Sequence, residues 1–517
     1  MLDLIKKLNK KDYLTIAILS IVIICISFVG VISFILYTSE NTVYNWKDVY
    51  AFGDSYVYYG YIDQAKAGHL LFRDLYQHDS TYMIFNWFWL LLGNVARIFN
   101  LSSIFVYFLF KVLLIPLSVF TLYLFLYYIF NDKSKVRLGL ILGLFGTGLG
   151  IFLTSITVPV DSLVEGSIFA SFLSSPHFTL IPPLFILIIL NTLLFLDTLK
   201  YKYSIYASLL GLLLFQFHPF TIITFISLFI SYFLFLLLTK QKNKWQFFKH
   251  SLIFFIISSP GVIYHFIMFL KDPWWKIQSL NIILLSPNIL ILFFTFAPLL
   301  FFSIIGIKNK QYFKHIDFFI FWLFINLFVP YLPIAFQRRL FMGFFIALLI
   351  FALQGIFYFL NNKKIKLTLL PIIFILFFYT SVAMVAARVI PINNTDKFYI
   401  DNNYFIVADW IKQNTNDQVV FLTESDIANI IAGRSLRRTY VGHTAETIDY
   451  DIKHQEMINF FTKIDEEERL LFLQEHNIDL LIYDNNWQRF SVFNPELDNN
   501  LNKIFEAGDI SVYSLAN

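Results

Sequence analysis

The sequence predicts a polytopic α-helical membrane protein of about eleven transmembrane helices, followed by a small extracytoplasmic α/β domain. Three observations carry this. Of 517 residues, 58% are hydrophobic and only 14% charged, whereas a soluble domain carries about a quarter charged residues. Long apolar runs recur through the first three quarters of the chain. The charge balance then inverts: residues 389–517 hold 21 acidic and 10 basic side chains, a net of −11, against +15 for the remainder. The single cysteine, Cys25, excludes an intrachain disulfide and any cysteine-based metal cluster.

The first run, 13–37, is too long for a signal-peptide core, and no small-x-small cleavage pattern follows it. It reads as an uncleaved span. Lys6, Lys7, Lys10 and Lys11 precede it and place the N-terminus in the cytoplasm. A span needs roughly 20 apolar residues. The further candidates are 103–130, 137–157, 177–199, 203–217, 220–239, 250–270, 281–306, 316–334, 340–360 and 367–387, the segment 203–217 being short. Segment 82–100 is apolar but interrupted by Asn86, Gly93, Asn94 and Arg97, and is expected as one or two surface helices.

Lysine and arginine support this threading. The loops expected in the cytoplasm (131–137, 200–202, 240–249, 307–314 and 361–366) each carry two to four basic residues, while 158–167 and 216–220 carry none. Eleven spans put the C-terminus outside. The expected division is a membrane domain, 1–388, with a large first outer loop, 38–102, and an acidic domain, 389–517. In the latter, helices are expected at 403–414, 424–433, two more through Glu475, and 499–507. Strands are expected at 418–423, 437–443, 479–484 and 510–515, giving a largely parallel sheet.

Under this topology the unusual polar residues gather on the outer side. The first outer loop holds FGDSYVYYGYIDQAKAGHLLFRDLYQHD, residues 52–79. A helix from Ser55 to Ala67, stopped by Gly68, makes Asp54 a helix cap. A carboxylate there could equally take a proton from an acceptor hydroxyl as a sugar–phosphate bond breaks. Asp54, Tyr58, Tyr61 and Ala65 share one helix face, and Tyr56, Tyr58, Tyr59 and Tyr61 could stack on sugar rings. Asp74 and Asp79 are secondary carboxylates, read alternatively as a solvated loop. Arg338 and Arg339, at the outer start of the tenth span, suit a phosphate because guanidinium binds phosphoryl oxygens bidentately; the plainer reading is interfacial anchoring. His177 and His218 flank prolines at span ends, as structural or ligand-binding histidines. In VGHTAET, Gly442 reads as a turn before a helix from about Thr444, with His443 and Glu446 able to touch a substrate.

The chain lacks HExxH, Cys/His clusters and a glycine-rich phosphate loop. No nucleic-acid partner is expected; membrane lipids are.

The first span entering from the cytoplasm and the long outer loop opening on an Asp resemble the GT-C membrane glycosyltransferases. So do the AKAGHLLFRD run after the aromatic helix and the soluble C-terminal domain outside. The resemblance implies an enzyme of the cytoplasmic membrane that moves a sugar from a polyprenyl-phosphate carrier to an acceptor at the outer face, usually with inversion. The first-loop base would be Asp54, with Arg338 and Arg339 on the donor phosphate. Tyr58, Asp74, Asp79, His177, His218, His443 and Glu446 would contact substrates. Many members carry an acidic pair at the first-loop Asp, but here Ser55 follows Asp54. No cofactor is assigned, and a divalent metal is left open. The sugar and acceptor are not readable. The competing readings are a transporter or flippase of a lipid-linked or polar solute, and a non-catalytic surface protein. Transporters favour internal repeats and midplane charges; no repeat is visible, and Lys111 is the exception among span interiors.

Overall fold

The computed structural model describes residues 2–38, 42–281, 283–308, 313–360, 366–389, 398–463, 465–489 and 493–516. Much of two loops expected in the cytoplasm, 307–314 and 361–366, lies outside these residues. Contacts divide the chain into two units. One comprises Met1–Gly30 and Leu109–Ile390, the other Val31–Phe108 and Pro391–Asn517.

Among the described residues, eight helices are long and apolar enough to cross a membrane. They are Lys10–Leu36, Ser103–Phe130, Lys133–Leu153, Pro176–Thr198, Thr221–Leu238, Lys244–Lys271, Gln337–Leu360 and Pro371–Arg388. The segment expected as one span at 281–306 is instead two helices, Ile289–Thr295 and Ala297–Lys308, bent by 82°. Pro298 has no N–H to donate back into the preceding turn, so the helix breaks there. The Thr295 carbonyl accepts instead from the Leu149 N–H at 2.8 Å. Helix Lys202–Phe217 is 16 residues long. Helix Ile316–Phe328 has 13 and passes into a 3₁₀ turn, Val329–Tyr331, around Pro330.

The helices of this first unit meet through small residues, as expected where lipid supplies no hydrophobic drive. A Cβ on Gly306 would lie 2.1 Å from the Phe351 carbonyl, and one on Gly355 2.0 Å from the Phe302 carbonyl. Helices Ala297–Lys308 and Phe344–Leu360 therefore pack backbone to backbone. Two buried polar groups inside the unit show how such groups are satisfied. His250 bonds Ser204 Oγ (2.8 Å) and Thr192 Oγ1 (3.2 Å), and Lys111 Nζ donates to the Leu173 carbonyl at 3.0 Å.

The second unit combines a short ladder with a five-stranded sheet. Strands β1 (Thr42–Tyr44) and β2 (Tyr399–Asp401) pair antiparallel, Thr42 opposite Asp401. The sheet consists of β3 (Val420–Leu422), β4 (Arg438–Thr439), β5 (Leu480–Asp484), β6 (Leu501–Ala507) and β7 (Ile510–Leu515), in the order β4-β3-β5-β7-β6. Strands β4, β3 and β5 run parallel, while β7 is antiparallel to β5 and β6. The sheet is thus mixed rather than largely parallel. The difference arises at 499–507, expected as a helix but forming β6. Gly508, at φ +57°, and Asp509 make a two-residue hairpin turn, with Ala507 opposite Ile510. The hairpin ladder overrides the helix propensity of NKIFEA.

Helix Ser55–Ala67 ends at Gly68, whose φ of +107° lets its N–H satisfy the Ala65 and Gln64 carbonyls. Within the unit this helix lies between two others. On one side Gly93, in helix Trp87–Ile98, leaves room for only a hydrogen: a Cβ would fall 2.2 Å from Ala65 Cβ and 2.6 Å from the Ile62 carbonyl. On the other, Gly433, in helix Ser425–Ser435, faces Tyr56, with a Cβ 2.4 Å from its carbonyl.

Gly93→Ala should therefore force the two helices apart and cost on the order of 1–3 kcal/mol. Thermal unfolding of the purified chain in detergent checks this; an unchanged midpoint would contradict the close contact.

Candidate active site

Asp54 stands at the N-terminus of helix Ser55–Ala67, but its carboxylate makes no capping hydrogen bond to the first turn. The side chain is turned to other partners. Oδ1 accepts from His443 Nε2 at 3.1 Å, and Oδ2 accepts from the Tyr58 hydroxyl at 3.2 Å. The Asp54 side chain is 46% exposed, the His443 side chain 4%. The carboxylate is thus fixed from the protein side and open on the other.

Residues far apart in sequence build this arrangement. Gly53 permits the approach of the ring, because a Cβ there would lie 3.2 Å from His443 Nε2. Asn429 Nδ2 donates to the Gly53 carbonyl at 3.2 Å, tying helix Ser425–Ser435 to the turn before Asp54. The stretch after the aromatic helix is held against β4: Thr439 N–H donates to the Leu75 carbonyl at 2.9 Å, and Arg438 Nη1 to the His78 carbonyl at 2.6 Å. The Tyr76 ring lies 5.6 Å from the His443 ring.

The GHTAET loop is a compact turn, and the next helix starts only at Tyr450, later than the expected Thr444. Thr447 Oγ1 accepts from the Gly442 and His443 N–H groups, each at 3.3 Å. His443 Nδ1 accepts from the Ala445 N–H (3.1 Å) and the Glu446 N–H (3.0 Å). Nδ1 is therefore an acceptor, so in the neutral ring the proton resides on Nε2, aimed at Asp54. Burial alone would depress the pKa of His443. The bond to Asp54 and the charge of Glu446 outweigh it and raise the pKa above its ordinary 6.5.

The other expected site residues separate into groups. Tyr58 is in the site, but one ring face is stacked on Trp89, centroids 4.7 Å apart. Tyr56 and Tyr59 are buried, with hydroxyls donating to the Asn45 and Trp46 carbonyls at 2.8 and 2.7 Å. They are core residues rather than sugar-stacking surfaces. Asp74 is buried and accepts from the Tyr76 N–H at 2.8 Å. Glu446 accepts from Gln77 Nε2 through its carbonyl. Burial raises the Tyr76 pKa well above normal, and the charges of Asp74, Glu446 and Asp54 add to the rise. Asp79 is exposed, and its charge falls on His78, Lys453 and Arg438.

Ser55 is buried: its Oγ accepts from the Asp48 N–H at 2.9 Å and donates to the Ala51 carbonyl at 2.7 Å. It shapes the turn and has no room to act as a second acid. Asp48, buried a few residues earlier, was not legible as a site residue. Its charge and that of Asp54 both act on Tyr107. Among the described residues no three His, Cys, Asp or Glu side chains are arranged to share a metal ion.

The first unit carries a second polar cluster. Arg338 and Arg339 lie in a 3₁₀ turn, Gln337–Phe341, which Asn326 Nδ2 secures by donating to the Leu340 and Met342 carbonyls at 3.0 Å each. Arg339 Nη1 bonds Glu165 Oε1 at 2.7 Å, while Arg338 Nε stands 4.0 Å from the same oxygen. Glu165 is almost fully buried, and each arginine side chain is 24% exposed. Two guanidiniums thus share one carboxylate. A small cleft, with room for about 20 Å³ of solvent, lined by Glu165, Phe185, Met342 and Ile346 among others, opens beside Glu165. His218, in the turn between two helices, is buried, and neither ring nitrogen has a hydrogen-bond partner among the described residues. Burial, then the charges of Arg339 and His177, hold its pKa well below normal. His177 bonds Ser175 Oγ at 3.0 Å. Glu165 was the residue missed here, since a lone Glu in a neutral loop gives no local signal.

No family model and no curated protein matches the sequence. Solved structures do match in fold. The apo oligosaccharyltransferase of Archaeoglobus fulgidus aligns at 13% identity and TM-score 0.54, covering 91% of this chain and 70% of that one. The archaeal oligosaccharyltransferase from the same organism, in complex with an inhibitory peptide and a dolichol-phosphate, aligns at 12% identity and TM-score 0.53, covering 92% and 70%. A mutant of the arabinofuranosyltransferase AftD from Mycobacteria aligns at 11% identity and TM-score 0.55, covering 97% of this chain but 41% of that one. The chain is similar to these structures in fold.

In a titration of ¹⁵N-labelled histidine by NMR, His443 should titrate above 6.5 and carry its neutral-state proton on Nε2. Asp54→Asn should drop the transition below 6.5, since burial then dominates. An unshifted transition in that variant would mean that Asp54 does not set the charge of His443.

Proposed function

We propose that the chain is a glycosyltransferase that moves a sugar from a polyprenyl-phosphate carrier to an acceptor at the outer face of the cytoplasmic membrane. Asp54 is the general base and the Arg338–Arg339 turn holds the donor phosphate. The observation that carries this reading is the Asp54 carboxylate itself, oriented by two hydrogen bonds and still 46% exposed, within a chain whose fold is shared with two kinds of glycosyltransferase. The solved complex of one such enzyme with a dolichol-phosphate supports a lipid-linked donor.

The chemistry follows from the groups present. The acceptor oxygen or nitrogen attacks the anomeric carbon from the face opposite the phosphate. Its proton passes to Asp54, and the bond between carbon and phosphate oxygen breaks with its electron pair leaving on phosphate, inverting the anomeric centre. The charge gathering on that phosphate suits a guanidinium. Arg339 is engaged by Glu165 at 2.7 Å, whereas Arg338 stands 4.0 Å from that oxygen with its side chain 24% exposed, so Arg338 is the group presented to phosphate. The unpartnered, buried His218 near Arg339 and His177 adds hydrogen-bonding capacity for the same anion. The donor set at Asp54 does not fit a resident metal, because Oδ1 is already bonded to a protonated ring nitrogen.

Transfer from a radiolabelled polyprenyl-phosphate sugar, measured with the purified chain in vesicles, should fall about 10²- to 10⁴-fold in Asp54→Asn with little change in donor KM. Arg338→Gln should mainly raise donor KM. Arg339→Gln should raise it further, because Glu165 is then left to repel the phosphate. Wild-type turnover in Asp54→Asn would exclude Asp54 as the base. Saturable donor binding without turnover in the wild-type chain would favour a transporter instead.

A further inference from the structure

The VGHTAET stretch contributes a buried histidine rather than a surface contact, and this changes its role. His443 is 4% exposed, and both ring nitrogens are committed, Nδ1 to two backbone N–H groups and Nε2 to Asp54. We propose that His443 is a positioning residue for Asp54. It is supplied by the C-terminal segment and presents an Nε2–H that fixes the orientation of the first-loop carboxylate. This rests on the reading of Asp54 as the base.

A carboxylate at a helix N-terminus is ordinarily drawn to the first-turn N–H groups, but Asp54 makes no such bond. The competing pull comes from Nε2–H, whose direction is set by the opposite side of the ring. The amides of Ala445 and Glu446 hold Nδ1 as an acceptor, and Thr447 Oγ1 closes the loop from which they point. The Gly442–Thr447 segment is in effect a socket for one imidazole tautomer. The Tyr58 hydroxyl completes the clamp from the helix side. A buried residue that orients another in this way is the His counterpart of the outer-shell partners that fix catalytic and metal-binding groups.

The charged and titratable groups around the ring are few. Asp54 and Lys47 act from the first loop, Glu446 acts from the same turn, and the phenol of Tyr76 packs alongside. Both the neutral and the protonated ring carry hydrogen on Nε2, so the donor to Asp54 survives protonation, whereas a proton on Nδ1 would cost the two backbone bonds made there. A side chain that donates from the same place without titrating should therefore serve. Glutamine carries an amide nitrogen at about the reach of Nε2; alanine carries nothing.

The test compares wild type, His443→Gln, His443→Ala and Asp54→Asn as full-length purified chains, each checked for folding by thermal unfolding. The readout is kcat for transfer from the polyprenyl-phosphate sugar across pH. His443→Gln should retain activity within about threefold. His443→Ala should lose about ten- to a hundredfold in kcat with donor KM within about twofold. Its acid limb should move to higher pH, because the carboxylate has lost a donor that favours its charged form. An inert Asp54→Asn together with a His443→Ala profile superimposable on wild type would overturn the positioning role while leaving Asp54 as base. Equal losses in His443→Gln and His443→Ala, with unshifted acid limbs, would mean that the imidazole serves packing alone and would also overturn it. An active Asp54→Asn would remove the reading on which both depend.

Discussion

The close approach of helix Ser55–Ala67 to helix Ser425–Ser435 is the constraint from which the site follows. Gly433 allows it, since any Cβ there would collide with the Tyr56 carbonyl. The contact joins residues nearly four hundred positions apart and brings Asn429 to the Gly53 carbonyl. With Gly53 so fixed, and lacking a Cβ of its own, the His443 ring can reach Asp54. The β1–β2 ladder and the arginine contacts to the His78 and Leu436 carbonyls reinforce the same join. First loop and C-terminal segment thus form one folded body, and the carboxylate at its centre belongs to neither alone.

The acids of this body are distinguished by exposure rather than by sequence context. Asp48 and Asp74 are buried and bonded to backbone N–H groups of their own turns. Asp63 is bonded by Ser103 Oγ at 3.1 Å, with burial raising its pKa. Asp79 is exposed among cations. Asp54 combines donors from two different side chains with a half-exposed carboxylate, as a group that must be both oriented and reachable requires. In the first unit, the Arg338–Arg339 turn has the complementary character: a local excess of positive charge, half neutralised by Glu165.

Much of this was legible in the residues. Apolar run length gave the helical segments, and the Gly68 stop gave the end of the aromatic helix to the residue. Asp54, Tyr58, His443 and the arginine turn were legible as candidates because charged and aromatic residues stand out against an apolar background. What stayed hidden depended on partners distant in sequence. Ser55 reads as a missing acid, but its hydroxyl is a turn brace. The 281–306 run reads as one span, but a single proline and a carbonyl taken by Leu149 divide it. β6 reads as a helix until its hairpin partner is known. The aromatic loop reads as a sugar platform, yet Tyr56 and Tyr59 are anchored in the core by their hydroxyls.

The central claim is that the Asp54 carboxylate accepts the acceptor's proton during sugar transfer. Chemical rescue tests it most directly. In Asp54→Ala, which leaves His443 and Tyr58 around a small vacated space, added formate should restore transfer from a polyprenyl-phosphate sugar in a saturable manner. Acetate should restore less because of its bulk, and chloride none. Transfer at the wild-type rate in Asp54→Ala without any added carboxylate would contradict the claim.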